Sequence, residues 1–132
     1  MMKFKVDTRS TVELVKITSQ VQNAVSDSGM KDGICVVFCP HTTAAITINE
    51  GADPSVVDDM RMELNKIIPF EDGYHHLEGN SAAHIKTTLV GPSEMIIVED
   101  GRLQLGTWQS IFFCEFDGPR HRSVWVKLMP DE

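Results

Sequence analysis

The sequence predicts an α+β fold: a single compact domain over residues 1–132, with a largely antiparallel sheet or sandwich of about seven or eight strands and two or three helices. Short segments of alternating apolar and polar residues recur along the chain, as in strands with one buried face. Apolar residues at helical spacing follow Ile17 and Asp53, and Asp100-Gly101 is a two-residue hairpin signal. Strands joined by hairpins favour antiparallel pairing.

In the first part of the chain, the sequence predicts a helix with strands before and after it. Residues 6–15 are rich in Thr and Val and alternate loosely, which predicts one or two strands. The helix that follows has Thr18 as its N-cap and ends at Gly29. The apolar run of residues 34–38 then predicts a buried strand.

The segment of residues 41–49 is predicted to be a strand with two different faces. One face is apolar and is expected to meet the core: Ala44, Ile46 and Ile48. The other carries small, mostly polar side chains: His41, Thr43, Ala45, Thr47 and Asn49. A solvent-facing strand usually carries longer charged residues, so this small face leaves room for a ligand or a neighbouring backbone.

Two further helices are predicted in the middle of the chain. Asp53-Pro54 starts the first, with Asp as N-cap and Pro at the first helical position. Residues 82–90 predict a shorter helix that is capped by Asn80 or Ser81, with a strand as the competing interpretation.

The last third of the chain predicts four strands. Residues 94–99 and 102–105 flank Asp100-Gly101, where a type I′ turn needs positive φ at both central positions. Residues 110–116 predict a strand that is apolar on both faces, so one face can lie in the core or at a subunit interface. Residues 123–129 predict the final strand.

Charge and composition argue against several classes of function. The formal net charge is −7, with nineteen acidic residues against twelve Lys and Arg, which disfavours nucleic-acid binding and an anionic membrane surface. Neither a signal peptide nor a bilayer-spanning segment is evident, so a cytoplasmic location is expected. Cys35 and Cys39 would lie about 13 Å apart on one strand face, too far for a disulfide. They and Cys114 are predicted to be buried free thiols.

Histidines are the first candidates for chemistry. Four of the five lie near acidic or small polar residues: His41, His75, His76 and His84. Neutral imidazole is the commonest metal ligand near neutral pH, and three imidazoles with one open position suit a catalytic zinc site. No ligand-specific spacing accompanies these histidines. Ordinary loop and core histidines with satisfied hydrogen bonds are therefore the alternative.

Carboxylates and an amide follow the small-faced strand. Glu50 and Asp53 stand at a strand-to-helix junction, where a carboxylate can act as general base or bind Mg²⁺. N-capping alone already explains Asp53. Asn49 can orient a ligand or simply form a turn.

Two other short segments contain side chains that could bind a ligand. Gly106-Thr107-Trp108-Gln109 combines close backbone approach, a hydroxyl and a ring that can pack on a heterocycle, although a strand entry with a core Trp explains it equally well. Arg120 and Arg122 lie in a turn, and guanidinium groups suit phosphate, but exposed arginines in turns are common.

Three ordered motifs resemble the YjbQ-like family, and the resemblance runs over essentially the whole chain. The first is His41-Thr42-Thr43-Ala44-Ala45-Ile46-Thr47-Ile48-Asn49-Glu50 with Asp53-Pro54 after it. The second is Tyr74-x-His76 followed by Gly79-Asn80 and Ala83-His84. The third is Asp100-Gly101-Arg102-Leu103-x-Leu105-Gly106-Thr107-Trp108-Gln109, with Glu115 beyond it.

The resemblance implies a homotrimer with a pocket near a subunit boundary, and secondary thiamine-phosphate synthase activity. That reaction joins hydroxymethylpyrimidine diphosphate to thiazole phosphate and releases diphosphate. The implied ligands of a divalent metal, Zn²⁺ or, for diphosphate chemistry, Mg²⁺, are His41, His76 and His84. Residues implied to be catalytic or close to the substrate are Glu50, Asp53, Thr107 and Gln109. Residues expected to contact a phosphorylated small molecule are Asn49, Trp108 and Arg120.

Two other functions remain open at this point. A three-histidine metal site is well suited to activating water, so a metal-dependent hydrolase of a small metabolite is the first alternative. A non-catalytic trimer that binds a metal or a small ligand is the second.

Overall fold

Two antiparallel sheets form the centre of the protein in a computed structural model that describes all 132 residues. The five-stranded sheet has the order β1 (Met2–Asp7), β8 (His121–Pro130), β3 (Gly33–Phe38), β5 (Ser93–Glu99), β6 (Arg102–Leu103). The three-stranded sheet has the order β2 (Glu13–Lys16), β7 (Gln109–Glu115), β4 (Ala44–Glu50). Three helices complete the chain: α1 (Thr18–Ser28), α2 (Pro54–Ile67) and α3 (Ser81–Val90). The predicted α+β class, with eight strands and three helices, is confirmed.

The main core lies between the two sheets. It contains 17 buried residues, including Val37 and Val126 from the five-stranded sheet and Ile46 and Phe113 from the three-stranded sheet. Helix α1 adds its apolar side to this core, where Val25 is fully buried. All three cysteines are buried and unpaired, as predicted.

A second layer covers the outer face of the three-stranded sheet. On β7, Ile111 and Phe113 point into the main core, whereas Phe112 and Cys114 point the other way. That outer side packs with residues of α2 and α3. Both faces of β7 are therefore buried within one chain, and the subunit interface that the sequence allowed on this strand is not needed.

The small side chains of β4 make room for a helix. Ala45 is fully buried and packs in the same cluster as Ala83 of α3. Alanine on both sides lets the helix and the strand approach closely. Of the two occupants that the sequence left open, a neighbouring backbone is the one found along this part of the strand.

Several local signals act as predicted. Asp53 caps α2, because its Oδ1 accepts from the Ser55 amide at 2.9 Å. Asp100 and Gly101 have φ of 53° and 76°, as a type I′ turn requires. Residues 81–90 form a helix and not a strand.

Other boundaries differ from the prediction. β1 begins at Met2, ahead of the predicted start at Val6, because Phe4 and Val6 alternate with the outward-facing Lys3 and Lys5. The hydroxyl of Thr18 does not cap α1 but accepts from the backbone amide of Ile111 at 2.8 Å, which ties the helix to β7. β4 begins at residue 44, three positions after the predicted start, and the chain bends at residues 42 and 43 ahead of the strand.

Exposed apolar side chains lie together on the outer face of the five-stranded sheet at β3 and β5, while β1 and β8 carry exposed lysines on the same face. Met95 and Ile97 on β5 are 65% and 66% exposed, and Phe38 on β3 stacks on Trp125 of β8 with ring centroids 5.7 Å apart. Adjacent exposed apolar side chains on a sheet are characteristic of a contact surface. None of the three helices has the length and hydropathy that crossing a membrane requires.

Candidate functional site

A polar cavity of about 540 Å³ opens at one end of the three-stranded sheet. Four segments meet there: the bend before β4, the loop before α3, the start of α3 and the turn between β7 and β8. Eleven residues line the cavity, and none has a large apolar side chain: Pro40, His41, Thr42, Thr43, His76, Glu78, Asn80, His84, Asp117, Arg120 and Arg122. A space lined in this way favours a polar or charged ligand.

His41 is held by the backbone of β8. Its Nε2 accepts a hydrogen bond from the Ser123 amide at 2.9 Å. Burial, together with the Arg122 charge, lowers the pKa of His41 below its ordinary value. The ring is therefore neutral near pH 7.

Arg122 and Glu115 form a buried ion pair under the cavity. The Arg122 side chain is 4% exposed, and that of Glu115 is 0% exposed. Arg122 Nε donates to Glu115 Oε1 at 2.8 Å and Nη2 donates to Oε2, while Nη2 also donates to Thr43 Oγ1 at 2.9 Å. Burial alone would raise the pKa of Glu115, but hydrogen bonds from Arg122 and Thr8 outweigh it and hold that pKa below its ordinary value.

Arg122 keeps one group free for a ligand. Its Nη1 makes no hydrogen bond within the chain. This atom is also not one of the fully buried polar atoms without a partner, which are Asn80 Oδ1 and Thr87 Oγ1. Because Arg122 lines the cavity, this N–H group is the part of the guanidinium that a ligand can reach.

A second set of polar groups forms the outer wall. Arg120 donates from Nε to the Asp117 carbonyl at 2.8 Å and from Nη2 to Asp117 Oδ2 at 3.0 Å. Asn80 Nδ2 donates to Asp117 Oδ2 at 2.9 Å and to Glu78 Oε2 at 2.7 Å. Arg120 also retains an unpaired Nη1. The β7–β8 turn and the loop before α3 are thus tied together at the cavity.

His76 and His84 stand beside each other at the edge of the cavity. Their ring centroids are 5.6 Å apart and their planes are nearly perpendicular, at 86°. His84 belongs to α3, and His76 to the loop that precedes it. Imidazole is the side chain most often used in general acid–base catalysis, so these two rings are the candidates for proton transfer.

The loop that carries His76 is anchored at its beginning. The Tyr74 hydroxyl donates to the Pro69 carbonyl at 2.8 Å. The buried Lys86 of α3 donates to Asn65 of α2 at 2.5 Å, and its Nζ lies 4.7 Å from the centroid of the Phe70 ring. Burial lowers the pKa of Lys86. These contacts fix the loop against both helices.

The predicted histidines line one cavity but do not form a metal centre within the chain. No group of three or more His, Cys, Asp or Glu side chains is arranged to hold a metal ion. His41 is unsuited to be a metal ligand through either ring nitrogen. A metal on Nε2 would displace the Ser123 amide. A metal on Nδ1 would require the ring proton to sit on Nε2, where it would face the N–H group of Ser123. The three-histidine metal site implied by the resemblance does not fit these residues.

Arg120 lines the cavity, whereas the remaining predicted site residues lie at the opposite end of the three-stranded sheet. In the pairing of β4 with β7, Ala44 is opposite Glu115 beside the cavity, and Glu50 is opposite Gln109 at the far end. The length of β4 separates the two ends by about 20 Å. The distant group consists of Asn49, Glu50, Asp53, Thr107, Trp108 and Gln109. Within one chain it does not meet the histidines.

Most residues of the distant group have local partners. Asp53 caps α2, and hydrogen bonds from the Ser55 amide and hydroxyl hold its pKa below the ordinary value. Gln109 accepts from the Gly106 amide at 2.8 Å. Glu50 accepts from the Ala52 amide at 3.1 Å. Trp108 is 65% exposed, so it is not the core tryptophan that the sequence allowed.

Arg120, which the sequence predicts to contact a substrate, lines the cavity, but several of its neighbours there were given no role in the site by the sequence. Asn80, Glu78 and Asp117 line the same cavity. The signal for Asn80 was its place in the second family motif, between the two motif histidines. Glu78 and Asp117 carry no signal in the sequence, because only the fold brings residues 39 positions apart together.

Comparisons with known proteins identify the family. The model of the UPF0047 YjbQ-like family matches residues 2–131. The chain is 54% identical over 130 residues to the UPF0047 protein MJ1081 of Methanocaldococcus jannaschii, covering 98% of this chain and 94% of that protein. It is 48% identical over 126 residues to the UPF0047 protein YugU of Bacillus subtilis, covering 95% and 96%.

Solved structures agree with this assignment. A crystal structure of a YjbQ/UPF0047 protein from Clostridium acetobutylicum matches with a TM-score of 0.96 at 52% identity, covering 98% of this chain and 100% of that one. A YbjQ-like protein of unknown function from Sulfolobus solfataricus P2 matches with a TM-score of 0.94 at 35% identity, covering 98% and 96%. The chain therefore belongs to the UPF0047 YjbQ-like family.

Proposed function

We propose that the cavity binds a small phosphorylated molecule and that the chain is an enzyme acting on it. One observation carries this proposal: His41, Arg120 and Arg122 all line a cavity that has no large apolar side chain. Guanidinium groups are suited to phosphate because their N–H fork matches its oxygens. The two imidazoles beside them supply groups that can move a proton.

The reaction that we propose is the synthesis of thiamine phosphate. A thiazole nitrogen forms a bond to the methylene carbon of hydroxymethylpyrimidine diphosphate, and the electron pair of the broken C–O bond leaves with diphosphate. Donors that are fixed before the reaction stabilise such a developing charge without reorganisation. Arg120 and Arg122 fit this role, and His76 or His84 can pass a proton to the departing diphosphate. No step in this proposal uses a metal ion.

The binding part of the proposal predicts a difference between two arginine variants. Arg120→Ala is expected to weaken the binding of inorganic diphosphate at least tenfold, because a charged hydrogen bond to the ligand is lost and the Asp117 carboxylate is left beside the ligand without its counter-charge. Isothermal titration calorimetry measures the dissociation constant. Arg102→Ala is the matched control, since Arg102 is exposed on β6 and does not line the cavity. Equal affinities for the two variants would contradict the proposal.

We further propose a homotrimer in which the distant group of one chain faces the cavity of the next. A ring of identical heterologous contacts brings different surfaces of neighbouring copies together. This supplies a partner for Trp108, whose large side chain is otherwise exposed at the far end of β4. The exposed apolar side chains on the outer face of β3 and β5 provide additional contact surface.

A mixing experiment tests the shared site. His84→Ala and Trp108→Ala are each expected to have low synthase activity. When the two variants are co-expressed in equal amounts, about one quarter of the sites are expected to be intact. An intact site needs His84 from one chain and Trp108 from its neighbour, and in a ring of random composition each is present half of the time. Sedimentation equilibrium checks for the mass of three chains. A particle of one chain, full activity of Trp108→Ala alone, or no recovery on mixing would each contradict the shared site.

A further inference from the structure

The His41 ring is oriented by a main-chain donor. The Ser123 amide lies 2.9 Å from His41 Nε2, in the part of β8 that extends beyond the end of β3. A backbone N–H group can only donate, so Nε2 must carry the lone pair. In a neutral imidazole the proton then sits on Nδ1. One hydrogen bond thus selects the tautomer.

The surroundings keep this ring neutral. A second proton on Nε2 would break the bond from Ser123 and set two N–H groups against each other. The charge of the Arg122 guanidinium further opposes a positive ring, and the Glu115 carboxylate that partly offsets it is already bound to Arg122.

The Nδ1–H group of His41 has no acceptor in the chain. The only hydrogen bond of the ring is the one that Nε2 accepts, while the residue is partly exposed and lines the cavity. Arg120 and Arg122, each with a free Nη1, line the same cavity. Three residues that line this cavity therefore each have an N–H group without an acceptor in the chain.

We propose that His41 is a fixed, neutral Nδ1–H donor to an anionic oxygen of the ligand, and that it neither binds a metal nor transfers a proton. The assignment deepens the proposed function and rests on it for the identity of the ligand. It divides the three histidines of the cavity into two kinds. His41 stabilises negative charge, whereas His76 and His84 remain available to exchange protons.

The tautomer can be measured in the ligand-free wild-type chain. In a sample with ring-¹⁵N histidine, the His41 signals are expected to show a protonated Nδ1 and an unprotonated Nε2 at pH 7.5. The spectrum of His41→Gln assigns them by their loss. Addition of Zn²⁺ is expected to leave both signals in place. A proton on Nε2, or displacement of the signals by zinc, would overturn the inference.

Two substitutions test the contact with the anion. In His41→Gln the side-chain oxygen can accept from Ser123 and the amide nitrogen can donate to the ligand, so diphosphate affinity is expected to stay within about threefold of wild type. In His41→Leu both interactions are lost, and affinity is expected to fall at least tenfold. Thermal melts of both variants establish that they are folded, and the tautomer measurement decides the matter if His41→Leu is not.

The outcomes separate this inference from the proposed function. If the wild-type chain does not bind diphosphate, the proposed ligand is wrong and the anion contact fails with it. If the wild type binds diphosphate and His41→Leu binds it equally well, only the role of His41 is wrong. Equal losses in His41→Gln and His41→Leu would also contradict it, because a donor in place of the imidazole would then be insufficient.

Discussion

Glu115→Gln is expected to lower the free energy of unfolding by about 3–5 kcal/mol at pH 7, because it leaves a buried guanidinium without its counter-charge. Glu115 and Arg122 share two hydrogen bonds in a place with almost no solvent contact. The substitution preserves the shape of the side chain, so packing changes little and the loss reports the charge together with the hydrogen bonds that the second carboxylate oxygen accepts. Urea unfolding followed by circular dichroism measures it.

The same substitution predicts a dependence on pH. The folded-state pKa of Glu115 is held below the ordinary value of 4.5, so its contribution to stability is fully present above that pH. It is lost as the pH falls through the folded-state pKa. The difference between wild type and Glu115→Gln should therefore shrink in acid.

An exposed ion pair provides the control for Glu115. Arg61 and Asp58 of α2 lie 3.5 Å apart with side chains 44% and 67% exposed. Arg61→Ala is expected to change stability by only about 0–1 kcal/mol. A similarly small loss for Glu115→Gln would show that the buried pair does not hold the cavity floor together.

His84→Ala is expected to lower kcat for thiamine-phosphate synthesis by about 10²–10⁴-fold, the usual contribution of a positioned acid–base group. The imidazole projects from α3 beside His76, next to the arginines that would hold diphosphate. A two-substrate assay with hydroxymethylpyrimidine diphosphate and thiazole phosphate measures the rate. The melting temperature should remain close to that of wild type, because His84 is only partly buried.

His75→Ala is the matched control for His84→Ala. His75 adjoins His76 in the chain but is exposed and does not line the cavity with the arginines, so turnover should be unchanged. Equal turnover of His84→Ala and wild type would remove His84 from the mechanism. Diphosphate binding without turnover in the wild type would instead favour the non-catalytic ligand-binding protein.

Local chemistry made parts of the fold predictable. Asp53-Pro54 begins a helix and Asp100-Gly101 forms a tight turn because each depends on adjacent residues alone. Thr18 shows the limit of such reasoning. Its hydroxyl is suited to capping, yet it accepts from Ile111, 93 positions away, once β7 lies beside α1.

The site was less accessible to sequence reasoning than the fold. Family motifs identified His41, His76 and His84, and these do share a cavity. Their chemistry depends on partners that are far away in sequence: Ser123 is 82 positions from His41. A pattern of residue types does not reveal that a backbone amide donates to the lone pair of an imidazole. The sequence therefore offered no reason to exclude His41 as a metal ligand.

Sequence proximity was misleading for the distant group. Glu50 follows His41 by nine positions, which suggests one shared site within the chain. An extended strand instead carries these residues to opposite ends of the sheet. Only a contact between copies of the chain can unite them.

A crystal structure of the wild-type chain with inorganic diphosphate tests the central claim most directly. The account predicts diphosphate in the cavity, within hydrogen-bonding distance of Arg120, Arg122 and His41 Nδ1, with Ser123 still bonded to Nε2. A cavity without diphosphate in crystals grown at a concentration that saturates the protein in solution would contradict it.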